Sequence, residues 1–195
     1  MTQGAQQTPH PSLPAASAGD NRVRIGAILA VAIAIAAIVW LLVKDDGNDN
    51  KSGQAAPPAT AATVQGLRDL QGSVGHAVYW GGRRNGFTYE VTQVGGNVFI
   101  RYLPSGIRVR DPRPNFLTVG TYPRRNALAV IKRLGKRQGN TSEKLDKGGL
   151  AVSSASRPQS IYLAYPGEDV QVEVYDPSAS SARRLVLSGR VKPIR

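Results

Sequence analysis

The 195 residues carry 25 Lys and Arg against 13 Asp and Glu, for a formal net charge of +12, with no cysteine and only two histidines, His10 and His76. That length suits one ordinary domain plus accessory segments. Disulfides are excluded, a zinc or iron–sulfur site of the usual Cys/His type has no ligand set, and no cofactor is expected.

The charge is unevenly divided. Before residue 66, Arg22, Arg24, Lys44 and Lys51 balance Asp20, Asp45, Asp46 and Asp49, whereas residues 66–195 hold 21 basic and 9 acidic side chains. All the excess therefore falls in the second part, which should be drawn to anionic surfaces or polymers by salt-sensitive attraction.

Residues 1–24 are rich in Ala, Pro, Gln and Ser and have too little apolar content to fold, so a disordered tail is expected. Residues 25–43, IGAILAVAIAIAAIVWLLV, contain no charge. At about 1.5 Å per residue they match the thickness of a bilayer's hydrocarbon core, which predicts a transmembrane helix. Trp40 lies near one end, where an indole prefers the headgroup region, and Arg22, Arg24 and Lys44 flank the segment where charge returns to water. A cleaved signal peptide would have a shorter apolar run closely followed by a small-residue cleavage site, and neither is present. The paired arginines against the helix place the N-terminus in the cytoplasm and the following domain outside the plasma membrane.

Residues 44–66 read as a flexible linker of polar, then Ala/Pro-rich composition, with a short helical lead-in at 64–70. Treated as a coil of about twenty residues, it spans roughly 25 Å. The globular domain is placed at 67–195. Its apolar runs have strand spacing, which predicts strands at 76–80, 87–94 and 97–103. Gly95-Gly96 supplies a tight hairpin turn between the last two. Alternation puts Tyr89 and Val91 on one face and leaves Glu90, Thr92, Phe99 and Arg101 opposite. A strand at 116–121 leads into an amphipathic helix at 123–134, with Ala127, Val130, Ile131 and Leu134 on its apolar stripe.

A loop at 138–149 follows, then strands at 150–154, 160–165, 170–175 and 183–188, with a last one at 190–194. The predicted fold class is α+β: one helix on a mainly antiparallel sheet of seven or eight strands.

No catalytic motif stands out. Cysteine is absent, no serine sits in G-x-S-x-G, and the glycine-rich stretches 72–75 and 81–86 lack the Walker spacing and lysine. His76, opening a strand, reads as structural. Glu90 and Glu173 read as members of solvated strand faces, not as an acid/base pair. Three basic groups are candidate anion-binding surfaces: Arg83 and Arg84; Arg108, Arg110 and Arg113; and Arg125, Lys132 and Arg133 on the helix. Should they gather near Tyr79, Trp80 or Tyr122, charge would be combined with stacking platforms.

Residues 116–139, FLTVGTYPRRNALAVIKRLGKRQG, resemble half of a SPOR domain, a peptidoglycan-binding module whose repeats pair a V-x-V-G-x-[FY] strand with an Asn-Ala-containing helix. Val119, Gly120, Tyr122, Asn126 and Ala127 occupy the motif positions. The second strand–helix half that such a domain requires is missing, because the residues beyond read as strands. As a whole the chain is similar to uncharacterised single-pass envelope proteins of high-GC actinobacteria, a resemblance that implies no activity.

The expected function is a non-enzymatic binding or structural role in the cell envelope, directed at an anionic wall polymer, lipid headgroups or a protein partner. The alternative is a cytoplasm-facing domain that binds nucleic acid, which requires the reverse anchor orientation.

Overall fold

The structure, a computed structural model, describes residues 59–195. The predicted tail, transmembrane helix and most of the linker, including Arg22, Arg24, Trp40 and Lys44, lie outside the described residues. No helix among the described residues is long and apolar enough to cross a membrane.

The domain is α+β, as its composition of short β-rich runs requires. It begins earlier than residue 67: strand β1 (Thr60–Ala62) pairs with β3, and helix α1 (Val64–Ser73) follows directly. Thr63 makes this start possible, since its hydroxyl accepts from the Gly66 amide and caps the helix. After β2 (Tyr79–Trp80) come β3 (Phe87–Val94) and β4 (Asn97–Pro104), joined through Gly95 and Gly96, both at positive φ. That turn matches the handedness of a two-residue hairpin. Strand β5 (Thr118–Pro123) precedes helix α2 (Ala127–Gly135), and β6 (Asn140–Lys144), β7 (Leu150–Ser154), β8 (Arg157–Ala164) and β9 (Val170–Tyr175) follow. Helix α3 (Ala179–Leu187) and β10 (Lys192–Pro193) end the chain.

One eight-stranded sheet runs in the order β1-β3-β4-β5-β9-β8-β7-β6, and β10 pairs separately with β2. Every pairing is antiparallel. One face carries Val98, Ile100, Val119, Ile161, Leu163, Val172 and Val174. With Leu67 of α1, Ala182, Leu185 and Val186 of α3, and Tyr79 of β2, they form the main apolar core. Helix α2 covers the other face, because a Cβ on Gly135 would meet Ser142 and Val152, which are register partners on that side.

Three sequence expectations change at this level. The segment 183–188 is helical. Ala182, Leu185 and Val186 are buried at i, i+3 and i+4, and the Ser178 hydroxyl accepts from the Ser181 amide at 3.3 Å, so a capped helix forms where the short apolar run had suggested a strand. The domain consequently has three helices, not one, and a strand–helix unit does follow the first: β9-α3 lies beside β5-α2. The helices sit on opposite faces, so the two units are not copies of one half.

The segment 138–149 contains strand β6 and a 3₁₀ turn (Asp146–Gly148). Its polar NTSEK sequence suits a sheet edge, which leaves one side of the strand to water. Helix α2 starts at Ala127, since Pro123 belongs to β5 and Asp169 binds the connecting backbone. The Arg124 amide donates to the Asp169 carbonyl at 2.7 Å and the Asn126 amide to its carboxylate at 2.9 Å.

A further correction concerns the polar face. Glu90 and Glu173 are 1 % and 4 % exposed, not solvated. Glu90 is covered by the 104–117 loop, drawn in because Arg101 Nη1 donates to the carboxylate at 2.6 Å and the Arg110 amide donates to its other oxygen. Glu173 lies on the face that α2 covers, and Tyr122 reaches it across the β5–β9 pairing.

Candidate anion-binding surface

Nine carboxylates lie between residue 66 and the C-terminus, and eight accept an internal hydrogen bond. Glu90, Asp111 and Glu143 take Arg101, Arg113 and Arg183. Glu168 and Glu173 take the Tyr79 and Tyr122 hydroxyls. Asp69 takes the Gln65 amide group, while Asp169 and Asp176 take the backbone N–H groups of Asn126 and Ser178. The acidic side chains are thus taken up by turns, by one buried and two more exposed ion pairs, and by tyrosine hydroxyls. Arg83, Arg108, Arg125, Lys132 and Arg133 make no ion pair among the described residues, so the charge excess stays on the surface.

The three predicted basic groups are not equivalent. Arg113 is committed to the fold: it grips Asp111 through two bonds of 2.8 Å and, with Arg101, stacks on Phe116 at 5.6 and 5.1 Å. The Arg113 guanidinium holds the Asp111 carboxyl down at about 2. Arg110 gives its amide to Glu90 and its side chain to the Ala59 carbonyl. Arg108 is exposed. Arg125 is exposed in the turn before α2, whereas Lys132 and Arg133 are exposed in the final turn of the helix, beside the negative end of its dipole.

Arg84 instead lies over Tyr102, on the core side of the sheet, so the sheet separates it from α2. Tyr79, Trp80 and Tyr122 are buried and offer no platform. The aromatic partners are Phe87, Tyr102 and Phe116, which composition alone did not single out.

Arg83 and Arg84 line an open cleft of about 450 Å³, together with residues 63–65, 85–87 and Tyr89. No Asp or Glu is among its lining residues. The loop that carries the arginines is held at both ends. The Tyr102 hydroxyl accepts from the Gly81 amide at 2.7 Å and donates to the Gly82 carbonyl at 3.2 Å, the Tyr89 hydroxyl accepts from the Arg84 amide at 2.9 Å, and the Ser105 amide and hydroxyl both donate to the Gly86 carbonyl. Gly82 and Gly86 take positive φ of 78° and 75°, where a Cβ would be strained. The Arg84 guanidinium rests 5.5 Å from the Tyr102 ring and 6.0 Å from Phe87, within cation–π range.

Chemistry elsewhere is sparse. His76 contacts the Ala77 carbonyl through Nδ1 and the Gly96 carbonyl through Nε2, so both ring nitrogens are occupied and neither faces a cleft. Glu90 and Glu173 are kept apart by β4 and β5 and form no acid/base pair. Burial raises the carboxyl of Glu173, an effect opposed by bonding to Tyr122 and Ser160. Tyr162 faces the same carboxylate, but its buried hydroxyl forms no hydrogen bond of normal geometry. No group of three or more potential metal ligands occurs among the described residues. No protein family, curated protein or solved structure matches the chain.

Proposed function

We propose that the chain is a single-pass protein of the cell envelope whose α+β domain lies outside the plasma membrane and binds an anionic polymer, without catalysing a reaction. The observation that carries this reading is the division of labour between charges: carboxylates hold the fold together while most cations are left facing water. Such a surface attracts polyanions over distances set by the ionic strength. The uncharged run at 25–43 supports the anchor, and the excess of basic over acidic side chains in residues 66–195 supports a polyanion as the target.

Protease added to intact spheroplasts tests the placement. The reading expects the domain to be digested while cytoplasmic markers survive. A domain that is protected until lysis would contradict it and would favour nucleic acid as the polyanion.

A further inference from the structure

Resting on that reading, we propose that the cleft between α1 and the 81–87 loop recognises a phosphate group carried on a sugar or polyol, one repeat of a phosphodiester-linked chain. Two adjacent guanidinium groups line a cleft that has no carboxylate on its walls. An anion in this cleft would meet two cationic side chains and no competing carboxylate.

The arrangement selects among anions by shape. A carboxylate holds its two oxygens in one plane, where a single guanidinium fork covers both. The two non-bridging oxygens of a phosphodiester diverge tetrahedrally, so each is met by a separate guanidinium, with the Asn85 amide group beside them. Arg84 is fixed by its seat on Tyr102 and Phe87, so it acts as a preset charge, whereas Arg83 is exposed and turns to the ligand. Val64 and Phe87 give the cleft an apolar side for the carbon skeleton, and about 450 Å³ lies at the small end of ligand-site volumes, suited to one repeat unit.

The test titrates the full chain in non-ionic detergent with sn-glycero-3-phosphoglycerol, a phosphodiester of single charge, and with glucuronate, also of single charge, followed by calorimetry. Phosphate binding should exceed glucuronate binding by about tenfold, and Arg83→Gln should remove that advantage while Arg133→Gln, on the far face of the sheet, leaves it unchanged. Equal affinity for the two probes, or an Arg83→Gln protein that binds phosphate normally, would overturn the proposal.

The source of the phosphate is read from retention on isolated walls before and after hydrofluoric acid strips their phosphodiester polymers, alongside capture by phosphatidylglycerol vesicles. Retention lost on stripping assigns the ligand to the wall. Retention that survives, together with vesicle capture, assigns it to lipid headgroups. Retention that survives without vesicle capture contradicts the phosphate chemistry and leaves envelope binding standing. No retention on any wall contradicts envelope binding itself, and the small-probe titration still decides the cleft.

Discussion

The Tyr122 hydroxyl donates a 2.7 Å hydrogen bond to the buried Glu173 carboxylate across the central β5–β9 pairing, and Gly120 leaves the room that the tyrosine ring needs to reach it. A Cβ at position 120 would stand 2.9 Å from Tyr122 Oη and 3.1 Å from two ring carbons. Gly120→Ala should therefore destabilise the domain by about 1–3 kcal/mol through overpacking. Tyr122→Phe removes only the hydroxyl and should cost about 1 kcal/mol. Urea unfolding of the two variants checks the order.

The pH dependence has two opposite parts. Because burial raises Glu173, the folded state holds that proton more tightly than the unfolded chain. Its contribution to stability is full below the ordinary glutamate value of 4.5 and is lost as pH rises through the folded value. Glu173→Gln, which keeps an acceptor for Tyr122, should flatten the stability curve on that alkaline side. Asp111 behaves in the reverse sense: held down by Arg113, it contributes above 3.8 and loses its contribution as pH falls toward about 2. Chemical denaturation across pH 2–8, in wild type and Glu173→Gln, separates the two.

Glu90 is 1 % exposed and takes both Arg101, 15 % exposed, and the Arg110 amide. Removing it strands a largely buried guanidinium and releases the loop that covers the face. Glu90→Ala should cost about 3 kcal/mol, and hydrogen exchange should show amides of the 104–117 loop losing protection first. An unchanged melting curve would contradict the structural role given to this pair.

The β3–β4 hairpin and strands β7 and β9 were legible in sequence because alternation, turn glycines and β-branched runs agreed there. Helix α3 was not, since the short apolar run Leu185-Val186-Leu187 fits a strand by length as well as a helix, and the helical signal sits in the capping Ser178 and the small Ala182. Burial of Glu90 and Glu173 was hidden for another reason: alternation tells which residues share a face, not whether a loop or helix will cover it. Of the candidate site, Arg83 and Arg84 could be read as a basic pair in a glycine loop. Their companion Phe87, and the commitment of Arg113 to Asp111, depend on tertiary neighbours.

Placing Arg83 on the ligand and Arg113 in the fold predicts that their replacements fail differently. Arg83→Gln should leave stability within about 0.5 kcal/mol while weakening retention on isolated envelope. Arg113→Gln should loosen the 104–117 loop and spare retention. Cosedimentation and thermal melts on both proteins provide the comparison.

The most direct test of the account is the retention of the detergent-solubilised full chain on isolated cell envelope as salt is raised. A polycationic surface predicts a dissociation constant that rises steadily with salt, and a shallower dependence for a protein lacking Arg83. Retention that is indifferent to salt, or absent at the lowest ionic strength, would contradict binding through the unpaired arginines and lysines.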